Sequence, residues 1–209
     1  VEFVLLSLPT IVYLIVQSRG QGRASRFKAA LARAGASWGS PAAYGWALLL
    51  LLARRAPGLI LSAIERDPLA AQTARDNLAQ NNLTGEVITG DLRNRLLPAE
   101  QFDLVVSNPP YFQVNSGGSG GPARSEEFCT LDQLCATAGY LVKNGGRFAL
   151  CHRPERLADI ICSLRAHGLE PKRLTLLSHS PNHAPSLLLA EAVKQGKPGV
   201  EVRTAFQSA

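Results

Sequence analysis

The sequence predicts an α/β fold with a mostly parallel sheet, helices on both faces and a C-terminal antiparallel strand pair. From residue 47 onward, apolar strand-like runs alternate with helical runs, which is the pattern of a parallel sheet. Polar residues follow three of the apolar runs, at Glu65, Asp91 and Asn108. Ligands of such sheets bind beyond the carboxyl ends of the strands. These residues are therefore the first candidates for a functional site.

The first elements of this pattern are well marked. Residues 47–55 are a leucine-rich helical run, and residues 59–64 form an apolar strand that ends at Glu65. Asp67 and Pro68 then begin a helix as N-cap and first helical residue. Its predicted apolar face consists of Leu69, Ala70, Ala74 and Leu78.

The later elements are predicted from apolar runs bounded by Gly, Pro, Asn or Asp. They are strands over 86–89, 102–106 and 147–151, helices over 131–141 and 154–166, and a final strand pair over 174–177 and 187–193. The Gly/Ser-rich residues 115–122 favour a loop. The polar tail from Gly196 is expected to be loose.

The first sixteen residues are nearly all apolar. A transmembrane helix needs about 20 such residues, and Pro9 interrupts this run. Two short β-branched runs around a proline favour buried strands, with a membrane-associated segment as the alternative.

The net charge of +6 is confined to the N-terminal third. Seven basic residues and one acidic residue precede Glu65, whereas fifteen of each sign follow from there to the end. Basic character favours a nucleic-acid partner, although most of the chain is neutral. The four cysteines form no C-x-x-C pair, which favours reduced thiols in a cytoplasmic protein without a metal site.

Two of the strand-end residues suit a nucleoside. An acid at the end of the second strand of a nucleotide-binding fold accepts hydrogen bonds from ribose hydroxyls, and Glu65 has that position. A helix-start or surface carboxylate is the alternative. Asp91, or the backbone beside it at Leu92, could bind the exocyclic amine of an adenine in the same nucleoside. A Gly-Asp pair is also a common turn, which is the alternative.

The motif Asn108-Pro109-Pro110-Tyr111 is more specific. The Asn108 side-chain oxygen and a backbone carbonyl can accept both hydrogens of a planar amine and draw its nitrogen toward tetrahedral geometry. The two prolines stiffen the backbone, and Tyr111 offers a face on which a base can stack. This arrangement indicates methyl transfer to a planar nitrogen, in which positioning and electrostatics supply the rate. A proline turn with a core tyrosine is the alternative.

Residues 48–202 resemble the bacterial valine-tRNA adenine-N6 methyltransferases. The stretches that carry the resemblance are FDLVVSNPPYF, GGRFALCHRPERLADI and LEPKRLTLLSHSPNHAPSLLLAEAVKQGKPG. The resemblance implies a Rossmann-like class I methyltransferase fold, S-adenosyl-L-methionine as cofactor and tRNA as partner. No metal and no membrane are expected, and the sequence leaves the oligomeric state open, with a monomer favoured. It implies a methyltransferase domain over 47–202, an atypical segment over 1–46 and a loose tail over 203–209.

Site residues follow from the same resemblance. Glu65, Asp91, Leu92 and Asn108 would contact the cofactor, and the motif from Asn108 to Tyr111 would hold the target amine. Tyr111 with Phe112 and Arg124 would lie near the RNA. Arg153 and Arg156 could contact phosphate or pair with nearby acids.

One part of the family pattern is missing. A glycine-rich D-x-G-x-G-x-G turn should precede the leucine-rich helix, because backbone must approach the cofactor there. Ser40, Ala42, Tyr44 and Trp46 stand at those positions, and residues 26–39 just before them show no strand pattern. The first strand is therefore expected to be atypical or missing. One hypothesis is that residues before about Ala47 are not the family's original N-terminus, for instance through a frameshift.

Two alternatives to a tRNA adenine-N6 methyltransferase stay open. Asn-Pro-Pro-Tyr also occurs in glutamine-N5 methyltransferases of release factors, whose target is another planar nitrogen. A non-catalytic homologue that has lost its cofactor would also fit the altered glycine-rich turn.

Overall fold

A computed structural model describes residues 2–7, 60–109 and 129–206, with 2–7 described as backbone only. In these ranges, eight strands form one sheet in the order β3-β2-β1-β4-β5-β7-β6-β8. The strands are β1 (Glu2–Ser7), β2 (Ile60–Glu65), β3 (Gly85–Thr89), β4 (Phe102–Asn108), β5 (Val142–His152), β6 (Leu169–Ser178), β7 (Leu187–Lys194) and β8 (Glu201–Phe206). The helices are α1 (Pro68–Gln80), α2 (Leu131–Leu141) and α3 (Leu157–Ala166), with short 3-10 turns at Leu92–Asn94 and Pro154–Arg156.

The sheet joins a parallel half to an antiparallel half. Neighbouring strands from β3 through β2, β1 and β4 to β5 are parallel. Strand β7 is antiparallel to both β5 and β6. The mostly parallel sheet and the C-terminal antiparallel pair are therefore both confirmed.

Strand β1 lies at the centre of the parallel half, between β2 and β4. The first strand is therefore not missing, since Glu2–Ser7 supplies it. The prediction of a strand before Pro9 is confirmed for these residues. The positions of the glycine-rich turn, 40–46, and the helix over 47–55 lie outside the described residues.

Helices cover both faces of the parallel half. Leu61 and Ala63 of β2 pack with Ala71, Ala74 and Leu78 of α1 in one cluster. A larger cluster joins Val105 and Phe148 to residues of α2 and α3. Because successive strand residues point to opposite faces, α1 lies on one face of the sheet and α2 with α3 on the other.

Two details differ from the sequence prediction. Leu69, predicted on the apolar face of α1, is 78% exposed, because the buried stripe of the helix contains Ala70, Ala71, Ala74 and Leu78 and Leu69 points away from it. The loose tail predicted from Gly196 is wrong for residues 201–206, which form β8 parallel to β6.

Helix α1 begins as predicted. Asp67 accepts hydrogen bonds from the backbone N–H groups of Leu69 (2.7 Å) and Ala70 (3.0 Å), and Pro68 follows it. Helix α2 has a full capping box, in which Thr130 and Gln133 exchange hydrogen bonds. Such caps satisfy N–H groups that the helix itself leaves unbonded.

Phe148 is a fully buried side chain of β5 within the larger cluster. We expect Phe148→Ala to lower the free energy of unfolding by about 3–5 kcal/mol, because it removes apolar burial and leaves a cavity. Val202→Ala, at a position that is 60% exposed, is the control and should change it by less than about 0.5 kcal/mol. Urea unfolding followed by circular dichroism measures both, and equal small effects would contradict the assignment of Phe148 to the core.

Candidate active site

The candidate residues meet at one edge of the sheet. Ser7 at the end of β1 is in register with Asn108 at the end of β4. On the other side of β1, Leu6 pairs with Ile64, which sets Glu65 level with Ser7. Glu65 in turn pairs with Thr89 of β3. Since neighbouring strands lie about 4.8 Å apart, the backbones of Glu65 and Asn108 are about 10 Å apart across β1.

Asn108 is the last residue of β4 and is 5% exposed. It lies two residues beyond Val106, which packs with the α1 cluster, so its side chain points to the α1 face. Its Oδ1 accepts a hydrogen bond from the thiol of Cys151 at 2.6 Å. Pro109 follows it and is buried. Proline has no N–H to place in the sheet, so the strand ends here.

Glu65 is a buried carboxylate, only 2% exposed. Its Oε1 accepts a hydrogen bond from the backbone N–H of Asp67 at 2.9 Å. Its own backbone carbonyl accepts one from the N–H of Gly90 at 2.9 Å, just after β3. Buried carboxylates are costly unless hydrogen-bonded. The turn into α1 therefore folds around this side chain at the edge where the strands end.

Asp91 begins the short 3-10 turn that follows β3. Its Oδ1 accepts hydrogen bonds from the backbone N–H and Nε of Arg93, both at 2.9 Å, and its Oδ2 accepts one from the guanidinium at 2.5 Å. These bonds to Arg93 hold the pKa of the Asp91 carboxyl below its usual value. Leu92 beside it is buried in the larger cluster. The carboxylate is thus oriented by Arg93, with the Leu92 backbone next to it.

These donors and acceptors fit a nucleoside cofactor. Glu65 brings a buried anionic acceptor of the kind that ribose hydroxyls favour. The Asp91–Leu92 segment lies just beyond the neighbouring strand β3, and Asn108 lies on the other side of β1. A nucleoside bound between them would have its ribose beside Glu65 and its reactive end toward Asn108.

The remaining predicted site residues are Pro110, Tyr111, Phe112 and Arg124. All four lie outside the described residues. Arg153 and Arg156 are described, and they pair with Glu155 and Asp159, which agrees with the pairing alternative for them. Among the described residues, no group of three or more His, Cys, Asp or Glu side chains is placed to hold a metal, and no helix is long and apolar enough to cross a membrane.

Sequence reasoning missed two residues at this edge. Ser7 ends the central strand, and Cys151 reaches Asn108 from β5. The rule that identified Glu65 and Asn108, the first polar residue after an apolar run, selects His152 on β5 and passes over Cys151. It was overlooked because a cysteine in an apolar strand is usually a core residue.

Comparison with known proteins identifies the fold. The structure is similar to a predicted O-methyltransferase of Agrobacterium tumefaciens, with a TM-score of 0.62 and 23% identity, covering 77% of this chain and 74% of the other. It is also similar to an S-adenosylmethionine-dependent methyltransferase of Aquifex aeolicus, with a TM-score of 0.56 and 10% identity, covering 92% and 81%. At these identities the likeness shows the fold alone. The protein has the Rossmann-like fold of class I methyltransferases, whose cofactor is S-adenosyl-L-methionine.

The sequence matches identify the family more narrowly. Residues 42–154 match the methyltransferase small domain family, and the chain belongs to it. It is 33% identical over 153 residues to a Porphyromonas gingivalis protein named tRNA1(Val) (adenine(37)-N6)-methyltransferase, covering 69% of this chain and 60% of that protein. A Pedobacter heparinus protein of the same name is 28% identical over 144 residues, covering 67% and 61%. The chain thus spans about 60% of the length of these curated relatives, and the resemblance noted from the sequence is confirmed.

His152, the last residue of β5, is fully buried, and its side chain lies on the face of the sheet opposite to that of Cys151. Its Nδ1 accepts a hydrogen bond from the backbone N–H of Arg153 at 2.8 Å, which leaves the ring proton on Nε2. Burial, together with the positive charge of Arg156, lowers the pKa of His152 from 6.5 to about 4. The imidazole is therefore neutral at physiological pH.

This neutral histidine makes stability depend on pH. Between pH 6.5 and about 4, the folded protein binds fewer protons at His152 than the unfolded chain does. The contribution of the neutral imidazole to the free energy of unfolding is therefore complete above pH 6.5 and is lost as the pH falls toward 4. His152→Gln should reduce the change in the free energy of unfolding between pH 6.5 and 4 by up to about 3 kcal/mol. Urea unfolding at several pH values measures it, with the exposed His179→Gln as control. An unchanged slope in His152→Gln would contradict a neutral buried imidazole.

Proposed function

We propose that this protein transfers a methyl group from S-adenosyl-L-methionine to the exocyclic N6 amine of an adenine in tRNA. The observation that carries the proposal is the buried Asn108 side chain at the end of β4, followed by the buried Pro109 and facing the edge where the strands end. The relatives named as tRNA adenine-N6 methyltransferases support the substrate class. Such an enzyme is expected to act in the cytoplasm as a monomer.

Asn108 and Pro109 have the chemistry that an exocyclic amine requires. The lone pair of the adenine N6 is delocalised into the ring, so the nitrogen is planar and weakly nucleophilic. Oδ1 of Asn108 and the Pro109 carbonyl would accept its two hydrogens and orient the lone pair away from the ring. When bound, the cofactor supplies an electrophilic methyl group. The N–CH₃ bond would form as the S–CH₃ bond breaks, and the excess proton of the methylated nitrogen would then be lost to water. No general base is needed for the transfer itself, since orientation and electrostatics provide the rate.

The cofactor would be held on the other side of β1. Glu65 would accept hydrogen bonds from the ribose hydroxyls, and Asp91 with the Leu92 backbone would contact the adenine amine. This division keeps the carboxylates away from the target nitrogen. The buried amide of Asn108 then lies where the cofactor and the target base meet.

The remaining roles rest on the sequence motif. Pro110 would hold the backbone rigid after Pro109, and Tyr111 would stack on the flipped base, which is worth about 1–3 kcal/mol per base. Phe112 and Arg124 would contact the neighbouring RNA.

A release-factor glutamine methyltransferase is the second candidate, because a glutamine amide is also a planar nitrogen. A Koribacter versatilis protein of that name is 38% identical over 60 residues, covering 29% of this chain and 21% of that protein. Transfer of a tritiated methyl group to unmodified tRNA, compared with transfer to a release factor, distinguishes the two. Calorimetric titration with S-adenosyl-L-methionine tests the non-catalytic alternative, since that homologue would show no binding.

We expect Asn108→Ala to abolish methyl transfer while leaving cofactor binding mostly intact, because it removes an acceptor for the target amine. The matched control is Asn144→Ala, at an exposed position near the opposite end of β5, which should keep parental activity. Tritium incorporation into tRNA and calorimetry measure the two effects. Activity of Asn108→Ala near that of the parent would refute the role of Asn108.

We expect Glu65→Gln to weaken cofactor binding by roughly tenfold or more, because a hydrogen bond to a charged group contributes about 1.5–3 kcal/mol. Glu86→Gln, at an exposed position on β3, makes the same chemical change away from the site and should leave the Kd unaltered. Calorimetric titration measures both. Equal Kd values for the parent and Glu65→Gln would show that this carboxylate does not hold the ribose.

A further inference from the structure

Cys151 on β5 lies next to Asn108 on β4, and these two strands are parallel and directly paired. Ser107 of β4 is in register with Leu150 of β5, so Asn108 and Cys151 are the next residues along the two strands. Residues side by side in a sheet point to the same face. Both side chains therefore lie on the α1 face at the edge of the sheet where the site is formed.

The two side chains are in direct contact. The Cys151 thiol donates to Oδ1 of Asn108 at 2.6 Å, and the thiol is half-buried. The chain has three other cysteines: Cys129 and Cys135 are buried, and Cys162 is exposed. Cys162 lies on α3, on the opposite side of the sheet from this contact.

In this contact the oxygen end of the Asn108 amide faces the thiol. The last torsion of an asparagine side chain is soft and nearly two-fold, so the amide can present either its oxygen or its NH₂ group. An amide oxygen has two lone pairs. One of them can accept the thiol hydrogen while the other accepts a hydrogen from the target amine.

The opposite orientation would be unproductive. If the amide were turned over, its NH₂ group would face an amine that itself donates hydrogens, and no hydrogen bond could form. We propose that Cys151 is a positioning residue that keeps Oδ1 of Asn108 directed at the target amine; this inference rests on the proposed function. It acts through Asn108 and does not contact the substrate.

A matched pair of substitutions tests this role. Cys151→Ala removes the donor, and Cys151→Ser keeps a donor in nearly the same volume. We expect Cys151→Ala to lower kcat about fivefold, which is about 1 kcal/mol, with KM for tRNA and Kd for the cofactor within about twofold of the parent. Cys151→Ser should restore kcat to near the parent value. Cys162→Ala and Cys162→Ser are the controls and should leave kcat unchanged.

Two outcomes of the kinetic test would overturn the proposal. One is a kcat of Cys151→Ala equal to that of the parent. The other is an equal loss in Cys151→Ala and Cys151→Ser, because the hydroxyl would then fail to replace the thiol as donor. Thermal unfolding of both variants shows whether a lower kcat reflects loss of folded protein.

A spectroscopic test of the same contact does not depend on activity. The Raman S–H stretching band of Cys151 is obtained by subtracting the spectrum of Cys151→Ser from that of the parent. The same subtraction in an Asn108→Ala background should give a band at higher frequency, since the thiol has lost its acceptor. An unchanged band would overturn the positioning role. If the parent transfers no methyl group to any substrate, the proposed function fails, and a shifted band would still show that the thiol donates a hydrogen bond to the Asn108 amide.

Discussion

The site depends on the pairing of one strand, β1, with neighbours on both sides. Its backbone binds β2 through one edge and β4 through the other, and both ladders are parallel. Parallel neighbours cannot be joined by a tight turn, so hydrogen bonds with this strand, rather than a short connection, hold β2 and β4 on either side of it. The register of these two ladders brings the ends of β2 and β4 level. Glu65 and Asn108, forty-three residues apart in the chain, are thereby set on either side of one strand.

The alternation of side chains along the strands then separates two kinds of residue. On β4, Val105 points into the larger cluster with α2 and α3, and Asn108 points to the α1 face. On β5, Cys151 shares the face of Asn108, and His152 points to the opposite side. A slip of one residue in either strand would exchange these roles. The strand register that directs apolar side chains into the core therefore also determines which polar side chains lie at the site.

The sequence predicted the elements whose signals are local. Asp67-Pro68 identified the start of α1, and the apolar runs before Glu65 and Asn108 identified β2 and β4. It could not place β1, because an apolar run shows that a strand is buried but not which strands it pairs with. Strand β8 was missed because most of its side chains are exposed, so it lacks an alternating apolar pattern, and its pairing with β6 is made by the backbone. The hydrogen bonds from Arg93 to Asp91 and from Cys151 to Asn108 depend on side-chain geometry. The spacing of residues along the sequence does not reveal that geometry.

The carboxylate of Glu65 has a structural role that does not require ligand binding. It accepts the N–H of Asp67, and Asp67 in turn caps α1. With the cofactor bound at this carboxylate as proposed, ligand binding and the closing of the first turn of α1 would be linked equilibria, because both depend on one buried anion. Substitutions in the turn would then change the affinity for the ligand without contacting it, and hydrogen exchange at the Asp67 amide would be a local measure of site occupancy.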